Sequence, residues 1–273
     1  MFVIGIIPPL LLLIYIYKKD KREKEPIRFL TGCFFCGVAI IPFAYVMEML
    51  LTVIEDLFLS SGSVTYALVD GFIIAAFSEE LLKYLALKLK TWKSRNYNCT
   101  FDGIVYAVYV SLGFAALENV CYIADGGLGT AIMRAFTSIP GHASNAVFMG
   151  YYYSLAKKAA LNGDKASEKR NKFLAVFVPV ITHGFYDSLL FFQEETVGEM
   201  FVLMALFVWS IYIVVLYIFT FTFVNKASKC DTYFDPEDEA RETLILKKGS
   251  WICTCRNINT SNFCTQCGTK CPE

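Results

Sequence analysis

Charge is scarce in this sequence, and histidine is scarcer still. Asp, Glu, Lys and Arg make up 18% of the 273 residues, the formal net charge is zero, and there are two histidines. Nothing in that balance marks a nucleic-acid partner, and none is inferred. Three catalytic signatures are also missing: no Gly-x-Ser-x-Gly elbow, no Gly-x-x-x-x-Gly-Lys-[Ser/Thr] loop and no His-Glu-x-x-His pair. Their absence weighs against serine hydrolases of the elbow type, P-loop enzymes and zincins. No internal repeat is visible, which weighs against transporters built from two matched halves.

What the chain has instead is apolar length. Hydrophobic residues make up 56%, aromatic residues 16%, and the mean hydropathy is +0.48. Crossing a bilayer takes about 20 apolar residues per helix. Seven such runs are present, at 2–17, 28–51, 66–88, 102–123, 131–156, 173–192 and 200–224. The expected fold is all-α, a polytopic helical membrane bundle of about seven spans. The first run carries Pro8 and Pro9, and its charges ("KKDKREKE") follow it rather than precede it. That is the reverse of a signal peptide, so it reads as a retained span. Topology follows from Lys and Arg: loops 18–28, 88–95 and 157–172 and the tail from 225 hold six, four, six and seven. Those 23 of the chain's 25 mark one side as cytoplasmic, with the N-terminus outside and the C-terminus inside. The remaining two are Lys83, inside a span, and Arg134, near a span end.

Ionisable groups nevertheless sit deep in four consecutive spans. The third carries Glu79, Glu80 and Lys83, the fourth Glu118 and Asn119, the fifth His142, and the sixth His183 and Asp187. Each is costly in lipid, so all should face one another or water inside the bundle. Glu79 with Lys83, and His183 with Asp187, are four residues apart and share a helix face. Small residues beside them (Ala75, Ala76, Gly113, Gly141, Gly184) permit close helix approach and read as packing devices. Glu48 in the second span reads as a structural hydrogen-bonder. Two expectations follow: Glu79, Glu118, His142 and His183 converge within about 10 Å, and Lys83 pairs with Glu79 or Glu80. Glutamate and neutral histidine activate water as general bases, or together bind a divalent metal such as Zn²⁺. A histidine and an aspartate one turn apart orient each other or stabilise an oxyanion. The pattern suits hydrolysis within the membrane or proton relay. A proton- or solute-coupled transporter and a non-catalytic membrane scaffold are the alternatives.

The motifs "EELLK" (79–83), "FAALEN" (114–119), "GH" (141–142) and "HGFYD" (183–187), in this order on successive spans, resemble the PrsW family of intramembrane proteases. The resemblance covers roughly residues 2–224. It implies kinship with the CAAX prenyl endopeptidases and cleavage of membrane-anchored proteins, such as an anti-sigma factor in an envelope stress response. Carried over by motif, Glu79 and Glu80 form the glutamate pair, closed by Lys83. Glu118 is the acid of the second motif, His142 the third motif's histidine, and His183 with Asp187 the last motif, expected to help hold the oxyanion. The resemblance leaves open a metalloprotease, with Glu79, Glu118, His142 and His183 as ligands, or a glutamate-type protease.

The tail reads separately. The protease domain is expected at 1–228, an acidic linker at 229–250 and a cytoplasmic zinc ribbon at 251–273. Cys253, Cys255, Cys264 and Cys267 would hold one structural Zn²⁺, with Cys271 able to replace a ligand and Trp251 and Phe263 covering the site. A redox dithiol is the alternative. So short a segment buries little apolar surface, so metal would supply its folding energy. The ribbon would recruit a cytoplasmic partner. Cys33, Cys36, Cys99, Cys121 and Cys230 read as ordinary; Cys33-x2-Cys36 lies inside a span and reads as packing.

Overall fold

A computed structural model describes residues 2–192, 198–235, 238, 251–252, 258–260, 263 and 266, without the side chains of 2–4, 252 and 258. Nine α-helices account for nearly all of them: α1 Phe2–Lys19, α2 Ile27–Ala39, α3 Ile41–Phe58, α4 Val64–Val69, α5 Ser78–Thr91, α6 Asp102–Phe136, α7 Ser138–Leu161, α8 Lys165–Phe191 and α9 Glu199–Lys229. Between α4 and α5 the chain stays helical but widens into π-helical turns over Asp70–Phe77. Local chemistry sets several of these starts. Ser63 Oγ accepts from Tyr66 N at 3.1 Å and Asp164 Oδ1 from Ser167 N at 3.0 Å, each satisfying an amide that the first turn leaves open. Pro42 opens α3, where its missing N–H costs nothing. Pro179 sits inside α8, and Thr182 Oγ1 bonds the carbonyls of Val178 and Pro179 there.

Among the described residues, four helical stretches are long and apolar enough to cross a bilayer: Ile27–Phe58, Asp102–Leu161, Lys165–Phe191 and Glu199–Lys229. The protein is therefore a multi-pass membrane protein, all-helical in its membrane part. The 60-residue stretch would be about 90 Å long if straight. It folds back instead. Gly127 takes φ +72°, a conformation side chains resist, and the helix kinks there. From that point the end of α6 and all of α7 run back antiparallel to the first part of α6: Tyr97, just before α6, meets Ser154 at 3.1 Å, Ser111 Oγ donates to His142 O at 3.0 Å, and Glu118 meets Arg134 at 2.8 Å. Further pairings fix the bundle. α1 lies along α6, where Asn119 Nδ2 donates to Gly5 O at 3.0 Å. α8 runs against the π-helical segment, and Gly184 lies so close to Phe72 that any side chain there would collide with it.

The core is best developed toward the basic loops. Tyr97 stacks on Tyr153 with ring centroids 5.3 Å apart, and Trp92 and Tyr106 meet them edge-on. The opposite property marks α9, whose Leu203, Phe207, Val215 and Ile218 are exposed, as a lipid-facing helix requires. The expected linker start behaves differently from its acidic composition. Thr100 N donates to Thr232 O, Phe234 N to Asn98 O, and Asp231 Oδ1 accepts from Phe101 N at 2.8 Å. Residues 231–234 thus fasten to the connection before α6. In the tail, Trp251–Ile252 pairs antiparallel with Ile258–Asn259. Cys253, Cys255, Cys264, Cys267 and Cys271, the expected zinc ligands, lie outside the described residues.

Candidate active site

Four helices meet at one level of the bundle. Glu79, Glu80 and Lys83 come from α5, Glu118 from α6, His142 from α7, and His183 and Asp187 from α8. Lys83 Nζ is the hub: it lies 2.8 Å from Glu79 Oε2, 2.9 Å from Glu80 Oε1 and 3.0 Å from His142 Nδ1. Helical spacing explains how one lysine reaches two consecutive glutamates, since they precede it by four and by three residues. An ammonium has three donors and no acceptor, so these contacts use all of them. Lys83 is fully buried, and the Phe114 ring lies 4.4 Å from its nitrogen.

The histidines are oriented by these neighbours. Because Lys83 donates to Nδ1 of His142, that ring keeps its proton on Nε2 and donates to Glu118 Oε2 at 2.9 Å. His183 stands between two carboxylates, with Nδ1 2.9 Å from Glu80 Oε1 and Nε2 3.1 Å from Asp187 Oδ2. The two rings meet edge to face at 5.2 Å. Glu79 Oε2 is 3.9 Å from the Nδ1 of each. Glu79, His142 and His183 thus converge, and Glu118 joins through His142. Lys83 pairs with both glutamates rather than with one.

A cavity of about 670 Å³ opens on this cluster. Glu79, Glu118, His142, His183 and Asp187 line it, whereas Glu80 and Lys83 lie behind that wall with no exposure. Its far end is lined by Asp70, Arg134, Thr137 and Phe191, at the helix ends opposite the basic loops. Gly141 also lines it, and a side chain there would meet nothing within 4 Å.

Sequence reasoning missed Arg134. Its Nη2 lies 2.8 Å from Glu118 Oε2, its Nε donates to Asn119 Oδ1 at 2.9 Å, and its guanidinium covers the Tyr122 ring at 4.0 Å. A signal was present: Arg134 is the one basic residue among the non-cytoplasmic loops and ends as assigned from sequence. Asn119 bonds Arg134 and α1, so it braces the site without touching the Lys83 cluster. Glu48, expected to bond a neighbouring helix, lines the cavity.

Glu79, Glu80, His142 and His183 each offer one ligand atom, and the four atoms lie within 4.8 Å of one another. Two carboxylates and two imidazoles match a Zn²⁺-like ion in number and type. Glu80 Oε2 is buried without a hydrogen-bond partner, a further oxygen lone pair free to ligate. The donor set fits a divalent metal. It differs from the expected set by Glu80 in place of Glu118, because Glu118 is taken up by His142 and Arg134.

Residues 25–222 match the family described as PrsW family intramembrane metalloprotease. The chain belongs to that family. It is similar to Protease PrsW of Geobacillus kaustophilus, 34% identical over 194 residues, which is 70% of this chain and 80% of the relative. It is 35% identical to Protease PrsW of Bacillus subtilis over 187 residues, 68% of this chain and 80% of that one. With Protease PrsW of Clostridioides difficile it shares 31% over 215 residues, 77% and 87% of the two chains. No solved structure matches. This PrsW family member is therefore a membrane protease, and the matched segment contains every residue of the cluster and the cavity wall named above.

Proposed function

We propose that this chain hydrolyses a peptide bond of a membrane-anchored protein in the cavity, with Glu79 as the general base. One observation carries the reading: of the two consecutive glutamates, Glu79 lines the cavity and Glu80 lies behind it. Glu79 takes a proton from a water molecule, whose oxygen attacks the carbonyl carbon of the substrate. The carbon–nitrogen bond then breaks, and Glu79 returns the proton to the departing amine. Lys83 holds the glutamate in place and offsets its charge. His183 stabilises the negative charge developing on the carbonyl once the substrate oxygen draws its Nε2–H away from Asp187. Glu80 and Asp187 fix the His183 ring, and Glu118 with Arg134 fixes His142. Bare Gly141 leaves room for an extended substrate backbone. A divalent ion, when bound by Glu79, Glu80, His142 and His183, would polarise the carbonyl and acidify its water.

The same reading sets the protein in the membrane. α1 and the continuous Val64–Thr91 helix add crossings to the four stretches, with α6 and α7 counted separately, for seven in all. The basic loops face the cytoplasm, so the cavity opens on the outer side, where an anti-sigma factor would present its cleavage site. Residues 251–273 would form a cytoplasmic zinc ribbon apart from the chemistry. The test is cleavage of single-span substrates by the purified protein in detergent, with and without a chelator, read by mass spectrometry. A discrete cut near the outer end of the substrate span supports the reading. Intact substrate in every arm sinks it. Chelator sensitivity separates the metal-assisted form from the glutamate form.

A further inference from the structure

The place where a metal would bind already holds a cation. Lys83 Nζ is within 3.0 Å of Glu79 Oε2, Glu80 Oε1 and His142 Nδ1, atoms of three of the four residues able to ligate. An ion bonded to those three atoms at about 2.1 Å would stand within about 3 Å of the ammonium on either side of them. Two positive centres at that separation, away from water, repel strongly. Each ligand atom would also exchange its hydrogen bond from Lys83 for the metal. Lys83 is fully buried and packed on Phe114, so it cannot yield by a small rotation into solvent.

We propose that Lys83 is an intramolecular competitor for the metal: its ammonium occupies the ligand focus, and a divalent ion binds only when Lys83 swings out. This rests on reading the cluster as the hydrolytic site, but it makes a claim about ion binding alone. The resting chain would hold divalent ions weakly, and the lysine would set that weakness. Substrate entering the cavity beside Glu79 is the event placed to shift the balance.

The experiment measures binding, not cleavage. Full-length chains in detergent carry serine at Cys253, Cys255, Cys264, Cys267 and Cys271, which removes the tail's thiolates. Cobalt(II) is titrated and its visible absorption read, with zinc as competitor. Lys83→Met should bind at least about 100-fold more tightly than the parent, a gain set by removal of one adjacent charge. Lys83→Gln, which keeps a hydrogen bond to one carboxylate, should fall between. Adding His183→Ala to Lys83→Met should abolish most of the gain. Equal affinity in the parent and a folded Lys83→Met chain overturns the proposal, and so does no binding in that folded chain. If neither variant folds, amine labelling of the native chain decides. Zinc should then expose Lys83 to labelling, and identical protection with and without zinc overturns the proposal. A chain with Lys83 intact that binds as expected but cleaves none of the single-span substrates would instead refute the proposed hydrolysis at Glu79 and leave this one standing.

Discussion

Among the described residues lie two groups of buried or half-buried carboxylates, and they are satisfied in different ways. In the intramembrane cluster, Glu79, Glu80, Glu118 and Asp187 are each bonded to a lysine, an arginine or an imidazole. In the knot at the end that carries the basic loops, Asp20, Asp102 and Asp231 are capped by main-chain amides and one hydroxyl. Asp20 accepts from Glu25 N, Asp102 from Asn98 N and Cys99 N, and Asp231 from Thr100 Oγ1 and Phe101 N. Each of these three also keeps one buried oxygen without a hydrogen bond. Pairing with movable protons and cations is what the proposed chemistry would use in the first group. Capping by fixed amides equips the second for fastening loop to loop, at a cost in desolvation. The lesson is that burial of an acid does not mark a site; what it is bonded to does.

The largest effect that would separate the two groups is on turnover. His183→Ala should lower cleavage about 1000-fold while the bundle stays folded, checked by rate assay beside thermal unfolding. Retained turnover in that variant would place the chemistry elsewhere. Smaller is the effect of Asp187→Asn, which removes only the group that orients His183. Cleavage should fall about 10- to 100-fold, with substrate affinity unchanged.

For the knot, the expected effect is on stability alone. Burial pushes the Asp20 carboxyl up to about 7 from its ordinary 3.8. The folded state therefore favours the protonated acid. Its contribution is whole below about pH 4, falls as pH rises toward 7, and is level above that. Asp20→Asn should remove this slope and stabilise the protein at pH 7.5 by on the order of 2 kcal/mol, leaving cleavage unaltered. Unfolding followed between pH 4 and 8 checks it, and an unchanged slope would show that Asp20 is not the titrating group. Smallest of all should be the effect of deleting residues 239–273. Because 231–234 fasten the end of α9, a cut beyond them should leave cleavage in detergent within about twofold, as expected when no residue of the cavity wall is removed. Total loss would make the tail part of the machinery.

Much of the intramembrane cluster was legible in the sequence for a physical reason. Acids and histidines are so costly in lipid that four consecutive apolar runs carrying them must turn them inward. Helical spacing then gave the Lys83 and His183 partners. Arg134 escaped because its partner Glu118 is sixteen positions away, across a turn set by the backbone of Gly127 rather than by any run of polar residues. Glu48 was read as a structural group because one lone acid in a span has no periodic partner to place it. The widened turns at Asp70–Phe77, just before the glutamates, left no mark in composition. The knot was invisible for another reason: Asp20, Asp102 and Asp231 look like ordinary loop acids until the topology brings 20–25, 98–102 and 231–234 together.

The central claim is that Glu79 acts on water while Glu80 holds the site behind it. Its most direct test is a pair of variants, Glu79→Gln and Glu80→Gln, each measured for cleavage of one single-span substrate and for thermal stability. Glu79→Gln should lose at least about 1000-fold in cleavage with little change in melting temperature. Glu80→Gln, which weakens a fully buried link between Lys83 and His183, should lower the melting temperature and retain measurable cleavage. A stable, inactive Glu80→Gln beside an active Glu79→Gln would contradict the account.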